Sequence, residues 1–416
     1  MTWRRILVAL VGLVALCAAG AAAAWWWNER ETRDVRGSST QEFVTTEQTS
    51  TRMEEEVEEE PWPLYGLTPD RARNAVDFDH RPPFRERWVV DAGRLIEFPP
   101  VIAYGRLYFA TIRGKFRAVD AETGRVVWSR DLGYTSAASP AVADGVVYQP
   151  LMAKVGNPRG AGSGLLVALD AETGKDVWRF RTGAVESSPL YLDGTLYFGT
   201  FDNKLYALDA RTMRVRWSFE TGDDVKGGPA YRDGVVYIGS YDGKLYAVDA
   251  RSGKLRWSSA SQGGLLGSGN FYAGPAVGYG RVFIGNTDGK VYAFGARSGN
   301  LLWSKTTGSY VYSSAALADR TVYVGSYDGQ LYALDAATGD ARWSFDAGGS
   351  ISGSPTLMAG LLYFSTFRGR TFALDARNGR VVWRFPDGRY TPLAADERQT
   401  YIVGNTELYA LRSRRG

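Results

Sequence analysis

The chain has 416 residues, a formal net charge of +4 at pH 7, 49 Gly residues and 13% aromatic residues, but one Cys and one His. Cys17 has no second Cys for an intramolecular disulfide, and with His80 as the lone His the chain lacks the residues for a Cys/His zinc site, a Ser-His-Asp triad or a Cys-His pair. The basic residues are scattered rather than clustered, which argues against nucleic-acid binding. We therefore expect no metal site, no catalytic residues of these classes and no nucleic-acid partner.

The first segment, residues 1–27, is predicted to be a transmembrane anchor or a signal segment. Arg4 and Arg5 precede an uncharged run over 6–27, which is long enough to cross roughly 30 Å of hydrocarbon as a helix. The competing interpretation is a cleaved signal peptide with its apolar core at 6–17, which would give a secreted protein. In both cases the rest of the chain is expected outside the cytoplasm, and in the first case as a single-pass membrane protein.

Two segments of different composition follow. Residues 28–60 are polar, with eleven acidic residues and four Arg, and are predicted to form a disordered acidic linker because they offer little apolar surface to bury. The alternative is that their negative charge contacts a basic surface, such as the basic remainder of the chain. Residues 61–84 regain aromatic and Pro residues, so we expect an ordered lead-in segment that packs through Trp62, Tyr65 and Phe78.

From Trp88 onward the sequence repeats at intervals of about 40 residues. Before each Trp except the first stands a strand-like stretch that ends in Ala-x-Asp or a close variant, as in YALDAATG at 332–339. Pairs such as D-G and T-G indicate tight turns, because Gly adopts positive φ without a steric penalty. Each unit therefore predicts four short antiparallel strands, with its Trp packed between neighbouring units. The structural Trp residues are Trp88, Trp128, Trp178, Trp217, Trp257, Trp303, Trp343 and Trp383.

The first and last units are each incomplete. Trp88 lies in a strand with no repeat strands before it, whereas LYALRSRRG at 408–416 has no Trp-bearing strand after it. Pairing of these two segments would close a ring and remove an unpaired sheet edge. The predicted fold is thus all-β: an eight-bladed β-propeller over 85–416, closed by an N-terminal strand in the C-terminal blade and preceded by one N-terminal transmembrane helix.

The pattern Ala-x-Asp-x-x-Thr-Gly-x-x-x-Trp resembles the tryptophan-docking repeat of β-propellers of the pyrroloquinoline quinone (PQQ) type. It recurs over 85–416 with local departures, among them Met213 in place of Gly in the third unit and Gly295 in place of Asp in the fifth. This superfamily holds the eight-bladed quinoprotein alcohol dehydrogenases and the non-enzymatic BamB-like scaffold of outer-membrane assembly. The resemblance implies the fold, but a fold does not choose between these functions.

For a quinoprotein dehydrogenase, the resemblance implies PQQ held over the channel with a bound calcium, a vicinal disulfide and a carboxylate base. The chain has no pair of Cys residues, and its short repeats leave little inserted sequence to cover a cofactor. We therefore expect no cofactor, with PQQ and calcium as the alternative.

Two insertions interrupt the repeat: KVGNPRGAGSG at 154–164 and SQGGLLGSGNFY at 261–272. In a propeller, the loops that enter the inner strands share one face with the loops that join second and third strands. Both insertions are therefore predicted to rise from one rim, where binding loops are usually found. The alternative is that they are neutral Gly-rich loops, which cost little stability.

The residues just before each small-small-Pro signature, such as SPLY at 188–191, are predicted to surround the channel mouth on that rim. A mouth rich in Tyr with a few charges could hold a small polar ligand or a peptide. Alternatively, these side chains only fill and solvate a narrow channel. The candidates are Glu97, Tyr134, Glu186, Lys226, Phe271, Tyr272, Tyr310, Tyr312, Arg389 and Tyr390.

The leading functional hypothesis is a membrane-tethered extracytoplasmic propeller that acts as a non-catalytic binding or assembly scaffold for a protein or another cell-envelope component. A PQQ-dependent dehydrogenase and a small-ligand sensor at the channel mouth are the alternatives.

Overall fold

The computed structural model describes residues 3–45, 60–156, 164–263 and 269–414. The repeats form eight four-stranded antiparallel sheets, the blades, as predicted for an all-β eight-bladed propeller. We number the blades one to eight along the chain and their strands from the channel outward. The inner strands are Val101–Ala103, Ala141–Ala143, Leu190–Leu192, Ala230–Arg232, Ala276–Gly278, Ala316–Ala318, Thr356–Met358 and Leu393–Ala395. The second strands are Arg106–Ala110, Val146–Leu151, Thr195–Thr200, Val235–Gly239, Arg281–Gly285, Thr321–Gly325, Leu361–Thr366 and Thr400–Val403.

The third and outer strands complete each blade. The third strands are Lys115–Asp120, Gly164–Asp170, Lys204–Asp209, Lys244–Asp249, Lys290–Gly295, Gln330–Asp335, Arg370–Asp375 and Glu407–Ser413. The outer strands are Val126–Asp131, Asp176–Thr182, Val215–Glu220, Leu255–Ala260, Leu301–Thr306, Ala341–Asp346 and Val381–Phe385 in blades one to seven, and Phe84–Asp91 in blade eight. The second and third strands are almost wholly buried, so the core lies between blades.

The repeat motif has a direct structural explanation. In blade four, Ala247 of the third strand lies opposite Trp257 of the outer strand, next to a β-bulge. The small Ala leaves room for the indole of Trp257, whose Nε1 donates to the Ala296 carbonyl at 3.0 Å. The equivalent bonds of the other Trp residues measure 2.9–3.2 Å. The donor and acceptor residues are Trp88–Ala121, Trp128–Ala171, Trp178–Ala210, Trp217–Ala250, Trp257–Ala296, Trp303–Ala336 and Trp343–Ala376.

Each of these bonds joins one blade to the next, so the Trp residues act as fasteners between blades. The turn of the next blade packs on the indole face: a Cβ added to Gly299 would lie 2.7 Å from Trp257. The φ of Gly299 is +74°, a value that L side chains rarely adopt. Met213 takes this place in the third unit at a φ of 60°, and the fold accommodates the departure.

Blade eight is built from both ends of the propeller. Its outer strand, Phe84–Asp91, runs antiparallel to its third strand, Glu407–Ser413, with Trp88 opposite Ala410. Trp383 of blade seven has no T-G turn of blade eight to pack on, and Phe84 fills that position in an edge-to-face contact at 5.2 Å.

Residues 60–81, which we call the plug, lie in the channel along the inner strands. An inner strand has an unpaired edge toward the channel axis, and unpaired backbone N–H groups are costly to bury. In six blades the plug accepts one such N–H at 2.7–2.9 Å. The donor and acceptor residues are Ile102–Trp62, Val142–Pro63, Tyr231–Pro69, Val277–Asp70, Leu317–Ala72 and Leu357–Arg73.

The plug also carries the three aromatic residues expected to hold the lead-in, since Trp62, Tyr65 and Phe78 are all buried. A two-residue strand, Asn74–Ala75, pairs in parallel with Thr356–Met358. His80 bonds the Asp396 carbonyl at 2.7 Å, so the plug contacts the ring from blade one to blade eight.

Residues 33–45, which we call the strap, correct the prediction of a disordered linker over 28–60. Val35 exchanges hydrogen bonds with Ser304 of the outer strand of blade five, at 2.9 and 3.0 Å. Asp34 accepts from both the backbone N–H and the hydroxyl of Thr306, at 2.8 and 2.6 Å. Composition alone missed this contact, because the strap is held by backbone pairing and polar side chains rather than by a hydrophobic face. The remainder of that linker, residues 46–59, lies outside the described residues.

The second half of the strap lies at the boundary of blades five and six. Arg281 is fully buried and donates to the carbonyls of Ser38, Gln41 and Ala337 at 2.6–2.7 Å. Phe43 stacks on Tyr279 with ring centroids 5.8 Å apart, and the Arg281 and Arg320 guanidinium groups each lie 5.1 Å from its ring.

Before the strap, residues Trp3–Thr32 form a single α-helix. Within the described ranges, no helix combines the length and the apolar character needed to cross a membrane. The membrane-spanning anchor predicted for residues 1–27 is therefore not supported.

Candidate functional site

A cavity opens at the mouth of the channel, on the face where the chain enters the inner strands. It holds about 550 Å³ of space free of protein atoms, part of it open to solvent. Tyr65 of the plug lines it from inside the channel, and the loops before the inner strands supply the other walls. The side chains that carry charge or aromatic rings into this lining are Tyr65, Glu97, Phe98, Glu186, Lys226, Tyr272, Tyr312 and Tyr390.

Whether a residue faces the cavity depends on how many places it stands before the inner strand. The residue three places before the signature Pro faces the mouth, as Glu186 does before Pro189 and Tyr272 before Pro275. The residue four places before it faces the core between blades, as fully buried Val185 and Phe271 do. This alternation is that of extended backbone, in which successive side chains point to opposite sides.

The aromatic rings of the mouth form a connected series across blades four to eight, which we call the aromatic arc. It comprises Tyr241, Tyr272, Tyr312, Tyr327, Phe367 and Tyr390, with successive ring centroids 6.3, 4.6, 4.9, 5.5 and 5.4 Å apart. Tyr310, which is half exposed, stacks on Tyr312 at 5.8 Å. Such geometry is favourable for aromatic pairs, and aromatic rings that are partly exposed to solvent are typical of binding surfaces.

Two carboxylates lie in this cavity in surroundings that disfavour their charged forms. Burial, followed by the nearby charge of Glu186, raises the pKa of Glu97 to about 7, although Arg389 opposes the shift. Burial also raises the pKa of Glu186, against the effects of a hydrogen bond from Tyr272 and the charge of Lys226. The Tyr272 hydroxyl donates to Glu186 Oε1 at 2.5 Å.

Lys226, the cation nearest to Glu186 in the lining, is held to one side. Its Nζ lies 4.2 Å from the centroid of Tyr241, 4.5 Å from that of Phe201 and 3.9 Å from Asp224 Oδ2. These contacts hold the ammonium at the boundary of blades three and four, from where its charge opposes the raised pKa of Glu186.

Beneath the cavity, the plug places two buried arginines beside Tyr65. Arg71 donates to the carbonyls of Ser188, Pro189 and Pro229, and the Arg73 guanidinium lies 3.9 Å from the ring of Tyr65. Burial alone would raise the pKa of Tyr65, but the charge of Arg73, with hydrogen bonds to Ser354 and Thr391 and the charge of Arg71, lowers it. The hydroxyl of Tyr65 is thereby fixed to blades seven and eight.

Most of the candidate residues predicted from the sequence meet at this mouth. Glu97, Glu186, Lys226, Tyr272, Tyr312 and Tyr390 all line the cavity. Tyr310 and Arg389 lie at its border, where Arg389 contacts Phe367 at 5.3 Å and Tyr310 extends the aromatic arc.

Two candidates lie elsewhere. Phe271 is fully buried between blades four and five, because it takes the core-facing place of the alternation. Tyr134 packs in the core of blades one and two and pairs with Lys154, since it lies six places before Pro140, outside the mouth-facing position.

Sequence reasoning missed the members of the arc that follow the second strands. Tyr241 and Tyr327 lie just before a D-G turn and Phe367 just before an R-G turn, and the turn signal alone does not predict where the preceding aromatic ring points. Phe201–Tyr241 and Tyr327–Phe367 each repeat at 40 residues, and that periodicity is the signal that could have found them. The N–H of each of these residues bonds the loop before an inner strand, as in Tyr327 to the Tyr310 carbonyl at 2.9 Å.

The two insertions are described only at their ends, since 157–163 and 264–268 lie outside the described residues. The start of the first pairs with the loop before the inner strand of blade two, through Val155 N–H to the Gly133 carbonyl at 3.0 Å. The end of the second brings Tyr272 into the cavity.

The lining does not fit PQQ well. PQQ is a planar quinone with three carboxyl groups, so it would bring negative charge beside Glu97 and Glu186, whose pKa values burial already raises. Among the residues that the structure describes, none of the His, Cys, Asp and Glu side chains form a group of three or more that could hold a metal ion.

An eight-bladed ring with Trp fasteners and an aromatic, open mouth defines a propeller of the PQQ-like class. A family model described as "Outer membrane protein assembly factor BamB" matches residues 77–152, 159–226 and 217–416. The chain belongs to this family of PQQ-like propellers.

Individual relatives include both alcohol dehydrogenases and assembly factors. The chain is 30% identical to the quinohemoprotein alcohol dehydrogenase ADH IIB of Pseudomonas putida, over 30% of this chain and 19% of the relative. It is 27% identical to the outer membrane protein assembly factor BamB of Burkholderia pseudomallei, over 32% of each chain. The matched part is thus a fifth to a third of these relatives' length.

A solved structure supports the fold over a larger range. The quinohemoprotein alcohol dehydrogenase from Comamonas testosteroni superposes with a TM-score of 0.68 at 14% identity, covering 84% of this chain and 80% of that one. At this identity the likeness shows the fold alone.

Proposed function

We propose that this protein is a non-catalytic scaffold that binds a protein partner of the cell envelope at the mouth face of its propeller. The observation that carries the proposal is the aromatic arc with half-exposed Tyr310 at its border. Tyr residues with large, partly desolvated rings dominate the binding energy of many protein interfaces. Similarity to BamB, named as an assembly factor, supports the same role.

The location outside the cytoplasm is part of this proposal. Arg4 and Arg5 followed by an uncharged apolar run are typical of segments that direct export. A partner in the envelope would then meet the mouth face directly.

The proposal can be tested by site-specific photocrosslinking in native envelope preparations. A benzophenone amino acid at Tyr310 should give one dominant crosslinked protein. The matched control is the same probe at Leu255, which is equally exposed at 49% but lies on the outer strand of blade four. Equal crosslinking from both positions would contradict a partner site at the mouth.

A second measurement separates the scaffold from a dehydrogenase. Purified protein is titrated with PQQ and calcium and assayed for dye-linked alcohol oxidation. We expect neither tight binding nor turnover, because the lining already holds two buried carboxylates that would repel the carboxylates of PQQ. Tight binding with turnover would overturn the scaffold proposal in favour of a quinoprotein.

A further inference from the structure

The space between Glu97 and Glu186 has a chemical character that limits what can enter it. Glu97 lies before the inner strand of blade one and Glu186 before that of blade three, and both line the same cavity. Tyr272, Tyr312 and Tyr390 supply aromatic walls from blades five, six and eight. The cavity therefore combines carboxylate oxygens with several ring faces.

Charged groups of both signs surround this space. The acids that face it are Glu97 and Glu186, with Asp224 behind Lys226. The cations at the sides are Lys226, held against Phe201 and Tyr241, and Arg389, held over Phe367 and Tyr390 at 5.3 and 5.9 Å. Beneath the cavity, the guanidinium groups of Arg71 and Arg73 lie 6.0 and 3.9 Å from the ring of Tyr65, and Arg71 also donates to backbone carbonyls. Burial is the main cause that raises the pKa of both glutamates, and the charges of Arg389 near Glu97 and of Lys226 near Glu186 oppose this shift without cancelling it.

A positively charged organic group would complete this site. It would form charge-assisted hydrogen bonds with the carboxylates, and its charge would lie against electron-rich ring faces, an arrangement that is stronger where water is excluded. Tyr272 and Tyr312 supply two such faces close together, with ring centroids 4.6 Å apart and an angle of 42° between the ring planes.

We propose that the mouth binds an organic cation, the ammonium or guanidinium group of a basic side chain that the protein partner inserts between Glu97 and Glu186. This inference rests on the proposed scaffold function and names the chemistry that the partner must present. The side chain enters through the open face of the cavity, and its apolar stem packs along the aromatic arc.

The test uses small probes in place of the partner. Isothermal titration calorimetry of the full chain is performed with n-butylammonium and n-butylguanidinium, and with butyrate and n-butanol as anionic and neutral controls. We expect binding of the two cations and no binding of the controls. The affinity for cations should rise about tenfold from pH 6 to pH 8, because Glu97 with a pKa of about 7 changes from mostly protonated to mostly ionised over this range.

Three variants locate the binding. Glu186→Gln and Glu97→Gln should each weaken cation binding at least tenfold, and Glu97→Gln should also reduce the pH dependence. Glu172→Gln is the matched control, since Glu172 is an exposed carboxylate of a blade-two turn away from the mouth. The Gln variants should remain folded at pH 8, because a neutral amide removes the cost of an ionised carboxylate in a buried place.

The outcomes distinguish this inference from the proposed function. Tighter binding of butyrate than of butylammonium, absence of cation binding, or unchanged affinity in both mouth variants would overturn the cation site. If the Tyr310 probe still crosslinked one partner in that case, the scaffold proposal would stand. Cation binding without a crosslink specific to Tyr310 would support the cation site but overturn the proposal that the mouth face binds a protein partner.

Discussion

Blades four and five have nearly the same sequence pattern, yet their outer edges differ. The outer strand of blade four begins at Leu255, which is 49% exposed, and its Trp257 is half-buried. In blade five the strap covers the outer strand, and Trp303 is fully buried. The comparison shows how one repeat of a symmetric ring becomes the specific docking site of the strap.

A departure from the repeat accompanies this difference. In blade four, Asp249 accepts from the N–H and hydroxyl of Ser252 and pairs with Arg256 at 2.7 Å. Blade five has Gly295 instead, and a Cβ there would lie 2.4 Å from Glu42 Oε2 of the strap. The missing side chain thus makes room for the strap.

The largest expected effect is the loss of the covered indole. Trp303→Ala should cost about 5 kcal/mol and Trp257→Ala about 3 kcal/mol, since the first removes a fully buried ring and the second a half-buried one. Urea denaturation followed by circular dichroism measures both. Equal losses would mean that the strap adds nothing to the packing of Trp303.

The strand at the N-terminal end of the propeller offers a second comparison, because it joins blade eight from a distant part of the chain. Trp88→Ala should cost about 3 kcal/mol and increase amide hydrogen exchange in Glu407–Ser413, its partner strand. The control is Trp217→Ala, a half-buried Trp with the same bond to the next blade. An unchanged melting temperature for Trp88→Ala would mean that this strand does not hold the ring closed.

Restoring the repeat in blade five should release the strap. Gly295→Asp should cost about 1–2 kcal/mol, because its side chain overlaps Glu42 and adds a like charge. Trypsin should then cleave at Arg33 and Arg36 much faster. Asp249→Gly in blade four is the control, which should lose turn stability and leave cleavage of the strap unchanged. Slow cleavage in Gly295→Asp would show that the strap tolerates the consensus residue.

The smallest effect concerns an exposed ion pair of the strap. Arg36 and Asp340 are 2.7 Å apart, with side chains that are 76% and 50% exposed. Arg36→Ala should therefore change stability by less than about 0.5 kcal/mol and leave strap protection unchanged in hydrogen exchange. A loss as large as that of Gly295→Asp would mean that this pair, rather than backbone pairing, holds the strap.

Residues close to a repeated signature could be predicted, whereas residues held by distant partners could not. Glu97, Glu186 and Lys226 were found because each stands three places before a Pro that begins an inner strand. Tyr134 was misplaced because insertion 154–164 pairs with its loop and buries it. The strap and the plug bond to residues outside their own segments, such as Ser304 for Val35 and Pro229 for Arg71, and local patterning carries no sign of such contacts.

The sequence alone determined the number of blades, the Trp fasteners and the turns, because these depend on residues within one repeat and its neighbour. Tertiary structure decided which edge is covered, what fills the channel and which rings meet at the mouth. The physical reason is that these features arise where segments from different repeats supply the hydrogen bonds, charges and ring faces that one repeat leaves unsatisfied.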